Sequence, residues 1–304
     1  MQHFAFVFTC SPTAPCLSEN LLQQTAALTD FGPGYEINWL APDIACEIFI
    51  QTSLKEAQSL LYSLRSVLTD HPVDVNVVAA GEQRQKLLIV ADMDSTIIEQ
   101  ECIDELAEVA GIGNKIRTIT ERAMQGELNF ENALRERVKL LQGLPATAID
   151  DVLKDRIHLT SGAIELVQTM QHNGAYCALV SGGFTAFTSV IAKRAGFNTH
   201  QANSLEIVDG LLTGRVFDPI LGKEAKLTAL KDMLLAQKID ASQSLAVGDG
   251  ANDLAMINHA GLGCAFRAKP IVAAEADVAI QYCDLTGFLY LQGFSIDAFH
   301  TSPH

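Results

Sequence analysis

The sequence predicts an α/β protein: a doubly wound parallel sheet carrying an inserted helical cap, preceded by a small N-terminal α+β domain of ferredoxin-like type. Three observations carry this. From residue 161 onward helical and strand-like segments alternate, which requires a parallel sheet covered on both faces. Ahead of that alternation, an apolar run at residues 87–90 is followed by four helical segments with no strand among them, so a helical layer is inserted after the first strand of the sheet. Residues 1 to about 80 give a βαββαβ order, the pattern of a ferredoxin-like unit.

In chain order, strands are predicted near residues 3–9, 36–40, 46–51 and 73–78, with helices near 19–28 and 53–69 between them. The stretch 81–85 is polar and opens on Gly81, which places a boundary there and gives domains 1–84 and 85–298. Four apolar residues, Leu87 to Val90, suit a strand buried on both faces. Helical periodicity then covers 101–110, 113–125, 130–141 and 147–157, so the cap occupies about 99–157. Beyond it come strands at 175–180, 244–247 and 262–266, and helices at 184–195, 223–237 and 253–260. Asp209-Gly210 between two apolar segments is the signal of a type I′ hairpin. Gly174 and Gly196 follow helices and can take the left-handed conformation that ends them.

Composition narrows the partners. The chain has 304 residues, 48% hydrophobic and 19% charged, as in an ordinary globular protein. A formal net charge of −15 argues against nucleic acid or an anionic membrane surface as a partner, since both are held through surplus Lys and Arg. No apolar run approaches the roughly 18 residues that span a bilayer, and residues 1–10 lack a basic stretch ahead of an apolar one, so the chain reads as cytoplasmic. Seven cysteines without C-x-x-C spacing indicate neither a disulfide framework nor a zinc site.

Candidate chemistry begins at the end of the run 87–90, where Asp92 and Asp94 stand one residue apart. The carboxyl ends of parallel strands are where such sheets bind ligands, and two anions this close require a shared proton, a cation or a metal. Ser181 and Gly182 follow another apolar run and precede a helix, a setting that suits a phosphoryl oxygen. Residues 248–253 read G-D-G-A-N-D; Asp253 stands where a dinucleotide fingerprint needs glycine, which disfavours a nucleotide. Arg137 falls on the apolar stripe Phe130, Ala133, Leu134, Val138, Leu141 of its helix and so needs an anion, either a substrate carboxylate or an internal Asp or Glu. Lys226, early in its helix, is disfavoured by the helix dipole and also wants an anion nearby.

The sequence Asp92-Met93-Asp94-Ser95-Thr96 resembles the D-x-D-x-T signature of the haloacid-dehalogenase superfamily of phosphohydrolases, and Ser181-Gly182-Gly183, Lys226 and Gly248–Asp253 follow in that superfamily's order. The likeness extends through Glu101, Met124, Phe130 and Arg137 to the members that act on phosphoserine, and it covers about residues 86–297. It implies Asp92 as nucleophile, Asp94 as general acid and base, and Lys226 as the cation beside Asp92 and the phosphoryl group. It implies Mg²⁺ held by Asp92, the Asp94 carbonyl and Asp249, with Asp253 behind them or as a further ligand. Ser181, Gly182 and Asn252 would contact the substrate. Arg137 would take its carboxylate, Glu101 its ammonium, and Met124 with Phe130 would form an apolar lid. The expected partner is therefore a small molecule, phosphoserine, with a related phosphate ester or an inactive amino-acid sensor as the alternatives.

The N-terminal unit resembles amino-acid-sensing ACT domains, which often bind their ligand at a glycine-bearing turn after the first strand. Here that turn, residues 10–16, has no glycine and two prolines, so serine binding there is not expected. A role in assembly, as a homodimer, or as a docked module is.

Overall fold

The computed structural model describes residues 1–29, 35–124 and 127–301. The N-terminal unit comprises β1 (Gln2–Cys10), α1 (Glu19–Ala27), β2 (Asn38–Ala41), β3 (Ala45–Thr52), α2 (Leu54–Val67) and β4 (Val73–Ala79). Ser18 caps α1, and Ser53 with Glu56 forms a capping box that starts α2. The strands form an antiparallel sheet of order β2-β3-β1-β4, the ferredoxin-like arrangement. Strand alternation divides β1 between two cores. Phe4, Phe6 and Phe8 pack with Leu22 and Leu64 beneath the unit's own helices, whereas Ala5 and Val7 join the core of the second unit. In the turn after β1 the Cys16 amide donates to Cys10 Sγ and the Leu17 amide to the Asp43 carbonyl, so these donors are already engaged.

The second unit opens with β5 (Leu88–Ala91), followed by the cap helices α3 (Cys102–Val109), α4 (Gly113–Met124), α5 (Phe130–Lys139) and α6 (Thr147–Asp155). Next come α7 (Ala163–His172), β6 (Tyr176–Phe184), α8 (Thr185–Ala195), β7 (Thr199–Asn203), and the hairpin β8 (Leu205–Val208) and β9 (Leu211–Val216). The chain continues through α9 (Lys223–Gln237), β10 (Ser244–Gly248), α10 (Leu254–Ile257), β11 (Leu262–Phe266), α11 (Pro270–Glu275), β12 (Val278–Ile280) and α12 (Gly287–Leu291). Six parallel strands lie in the order β12-β11-β10-β5-β6-β7. Leu88 and Val90 face Leu230 and Met256 on one side, and Ile89 and Ala91 face the other core, so the all-apolar run is explained by burial on both faces. From β5 the chain moves to β6 and β7 on one side and returns to β10 on the other. The carboxyl ends of β5 and β10 thus flank the point where the winding reverses, the place where such sheets bind ligands.

Several features depart from the sequence reading. β6 does not stop at residue 180 but runs through Ser181 and Gly182 to Phe184, which pairs with Asn203 after an irregularity in the ladder. Ser181 and Gly182 therefore sit in an irregular strand end, and α8 starts only at Thr185. The segments β7, β12, α11 and α12 had no sequence signal: β7 is polar, and the others are too short for a period to be read. The hairpin turn has positive φ at both Asp209 (51°) and Gly210 (76°), as type I′ requires. It braces the cap. The Gly143 amide donates to the Leu212 carbonyl at 2.8 Å, Leu212 to Leu144 at 2.9 Å, and Ala146 to Gly210 at 2.8 Å.

The two units are stitched together by side chains that act as strand partners. Asn76 on β4 exchanges two 2.9 Å bonds with the backbone of Ala279 on β12, and the Asp74 carboxylate accepts the amides of Gln281, Tyr282 and Cys283. Among the described residues no helix is long and apolar enough to cross a membrane.

Candidate active site

Asp92 leaves β5 with its amide bonded to the Val247 carbonyl on β10, and the chain then makes a tight turn closed by a 3.0 Å bond from the Ile98 amide to the Met93 carbonyl. Ser95 takes a left-handed conformation (φ 56°) inside this turn. The consequence is that Asp94 folds back beside Asp92. Its Oδ1 accepts the Cys102 amide at 2.8 Å and its Oδ2 accepts the Ser181 hydroxyl at 3.1 Å. Burial raises its pKa, although the Cys102 and Ser181 donors oppose the shift.

Lys226 projects from the first turns of α9 into the same place and is 3% exposed. Its Nζ lies 2.6 Å from Asp92 Oδ1 and 2.5 Å from Asp253 Oδ1. Burial alone would lower its pKa, but Asp92 and Asp253 more than reverse this, so it stays charged. Asp253 itself is wholly buried and accepts the Gly250 amide at 3.0 Å. The glycine at 248 is required for this: a Cβ there would stand 2.4 Å from Asp253 Cγ. The sequence placed an anion near Lys226; the second one, Asp253, arrives from the loop after β10.

Carboxylate oxygens of Asp92, Asp249 and Asp253 come within 4.8 Å of one another. Fully ionised, three carboxylates against one ammonium would carry two excess negative charges in a largely buried place. That excess explains why burial and Asp253 together push Asp92 well above the ordinary carboxylate range, and why Asp249 is raised as well. Asp249 makes no ion pair among the described residues. A hard divalent cation with an oxygen shell fits this donor set in charge and chemistry.

Above the carboxylates lies a cleft of about 330 Å³. Its floor is Asp92, Asp94, Ser181, Gly182 and Asp249, and its roof is supplied by the cap through Glu101, Phe130 and Arg137. Asn252 and Lys269 stand at the rim on the loops after β10 and β11. Phe130 rests on the strand end Ser181–Gly182 so closely that a Cβ at Gly182 would be 3.0 Å from its ring. Arg137 donates from Nε to the Ala133 carbonyl and forms no ion pair among the described residues. The internal Asp or Glu that would have explained it is not at bonding distance; the nearby negative groups are Asp104, Glu101 and Asp94. Glu101 accepts the Ser95 hydroxyl at 2.8 Å, and enclosure in the cleft, reinforced by Asp94, pushes its pKa up to about 7. Met124 ends α4, and its side chain lies outside what the structure describes. The sequence reading did not single out Asp104, Thr120 or Lys269 on the cleft wall; nothing in their spacing sets them apart from surface residues.

The described geometry has clear counterparts. Residues 89–258 match the family model for haloacid dehalogenase-like hydrolases. A protein of Streptomyces coelicolor named phosphoserine phosphatase is 40% identical over 283 residues, which is 92% of this chain and 69% of that one. A crystal structure of a probable phosphoserine phosphatase from Vibrio cholerae in unliganded form superposes with a TM-score of 0.80 at 32% identity, covering 97% of this chain and 88% of that one. A substrate-bound phosphoserine phosphatase complex superposes with a TM-score of 0.63 at 41% identity over 68% of this chain and 98% of that one.

Proposed function

The chain belongs to the haloacid dehalogenase-like hydrolase family, and from that premise we propose that it hydrolyses O-phospho-L-serine to L-serine and phosphate by way of a phosphoryl group carried on Asp92. The observation that carries the substrate assignment is Arg137: a half-buried guanidinium without an ion-pair partner among the described residues, facing the same cleft as Glu101 and Asp92. A zwitterion bearing a phosphate offers one group to each, carboxylate to Arg137, ammonium to Glu101 and phosphoryl to the floor.

Asp92 Oδ1 is tied to the Met93 amide at 2.7 Å and to Lys226, which leaves Oδ2 to attack phosphorus. As that bond forms, the bond from phosphorus to the seryl oxygen breaks, and Asp94 gives its proton to the departing oxygen. Lys226 and the Ser181 hydroxyl hold charge on the phosphoryl oxygens. Asp94, now a carboxylate, takes a proton from water; the hydroxide attacks phosphorus, the acyl phosphate cleaves, and Asp92 is restored. The raised proton affinity of Asp94 suits a group that must be acid first and base second. Asp92 and Asp249, with the Asp94 carbonyl, would hold Mg²⁺, which would neutralise phosphoryl charge that a chain of net charge −15 otherwise repels. Phe130 excludes water from the reacting centre.

This reading places the enzyme at the closing step of serine biosynthesis, and its seven free cysteines fit a reducing compartment such as the cytoplasm. The test is phosphate release from phosphoserine, phosphothreonine and sugar phosphates with and without Mg²⁺. Phosphoserine should be preferred and the metal required; equal rates on a sugar phosphate would overturn the assignment.

A further inference from the structure

We propose that Asn203, a residue outside the recognised motifs, is a positioning residue for phosphoryl transfer. This rests on the phosphatase reading of the cleft and extends it. Asn203 closes β7 at the edge of the sheet, is 2% exposed, and uses its amide in three directions. Its Nδ2 donates to the Gly182 carbonyl at 2.9 Å and to the Leu221 carbonyl at 3.3 Å, and its Oδ1 accepts the Leu221 amide at 2.7 Å. One side chain therefore joins the strand end that presents Ser181 to the segment that leads into α9 and Lys226.

One segment is the irregular end of β6 and the other leads from β9 into α9, and their separation fixes the distance between the two groups that hold the phosphoryl oxygens. They are also the two places on which the cap's Phe130 rests. A Cβ at Gly182 would meet its ring at 3.0 Å and one at Gly222 at 3.5 Å, so Asn203 sets the width of the seat into which the lid closes. Only an amide can do this: Asn supplies an acceptor for Leu221 and donors for two carbonyls at once, whereas Asp supplies acceptors alone. An Asp here would point a lone pair at the Gly182 carbonyl and push the two segments apart.

The experiment compares the parent enzyme with Asn203→Asp and Asn203→Ser on phosphoserine and on p-nitrophenyl phosphate, each protein being assayed well below its own melting midpoint. Phosphoryl positioning is common to both substrates. We expect kcat to fall at least about tenfold on both, with KM for phosphoserine changed less than about threefold, and Asn203→Ser, which keeps one donor and one acceptor, to retain more activity than Asn203→Asp. A purely structural residue would lower the melting midpoint and leave kcat of the folded protein intact. Retention of kcat within twofold by a folded variant overturns the proposal, as does failure of both variants to unfold cooperatively. If the parent itself does not turn over phosphoserine, the substrate assignment fails, while the p-nitrophenyl phosphate arm still decides the role of Asn203.

Discussion

Asp94 receives the Cys102 amide on one carboxylate oxygen and the Ser181 hydroxyl on the other, so it is held in place while burial keeps its proton affinity high. Asp92 differs in kind, because one of its oxygens is pinned against Lys226 and the other is left for chemistry. Asp92→Asn should abolish turnover without unfolding the protein, since the amide nearly preserves the shape. Rapid mixing of the parent with ³²P-phosphoserine should trap label on Asp92, and label on Ser181 instead would refute covalent catalysis at the carboxylate. Arg137 tests specificity separately from chemistry. Loss of a desolvated charge contact costs on the order of 2–5 kcal/mol, so Arg137→Ala should lower kcat/KM for phosphoserine by roughly 30-fold or more. p-Nitrophenyl phosphate, which lacks the carboxylate, should be affected far less; equal losses would make Arg137 structural.

At the level of elements, the cap is joined to the core by more than its two chain connections. The hairpin β8–β9 adds backbone bonds to residues 143, 144 and 146, and Arg135 on α5 pairs with Asp218 beyond β9 at 2.5 Å. That pair is exposed on both sides and contributes little to stability. The start of α3 and helix α5 carry the roof of the cleft, and α4 adds Thr120 to its wall. We expect hydrogen exchange in residues 113–124 and 130–139 to slow when a beryllium or aluminium fluoride mimic of the phosphoryl group is bound, with the hairpin slowing in parallel because it is bonded to the cap. Exchange that slows only in the strand-end loops of the sheet would show that the cap does not close.

For the whole molecule, the N-terminal unit docks through Asp74, Asn76 and the apolar face of its sheet, which shares a core with Phe288 and Leu291 of α12. The structure thus describes the N-terminal unit docked on the second one. A chain beginning at Arg84 keeps every group of the cleft but uncovers that face and strips Arg84 of its 2.6 Å partner Glu47. Its melting midpoint should drop by at least about 5 °C while kcat of the folded fraction stays within threefold; an unchanged midpoint would mean the docking is incidental. The excess charge of the cleft gives a second molecular prediction. Asp92, Asp94, Asp249 and Glu101 all have pKa values raised in the folded state, Glu101 to about 7. Between about pH 4 and 7 the native state therefore binds more protons than the unfolded one, and metal-free stability falls as pH rises through that window. Glu56, held down to about 2 by its capping bonds, acts only at lower pH and does not alter the sign. Thermal melts should show this decline, and saturating Mg²⁺ should cancel it; a metal-free protein that grows more stable from pH 5 to 7 would contradict the charge balance described above.

The positions of Asp92, Asp94 and Asp249 at strand ends and of Lys226 early in its helix were legible in the sequence because strand and helix periodicity is short-ranged, whereas Ser181 lies within a strand that the sequence reading ended at residue 180. The ferredoxin-like order, the type I′ turn and the helical insertion are local in the same sense. Tertiary structure decided which of these ends meet. The strand order places β10 and β6 on either side of β5, and no short-range pattern encodes that order; from it follow Asp253 as the second anion of Lys226, the reach of Asn203 across two segments, and the union of β4 with β12 through Asn76. The absence of an ion-pair partner for Arg137 among the described residues was likewise undecidable from its helix alone. A charge on an apolar stripe shows that an anion is needed, but whether the protein or a ligand supplies it depends on every other chain segment that packs around the cleft.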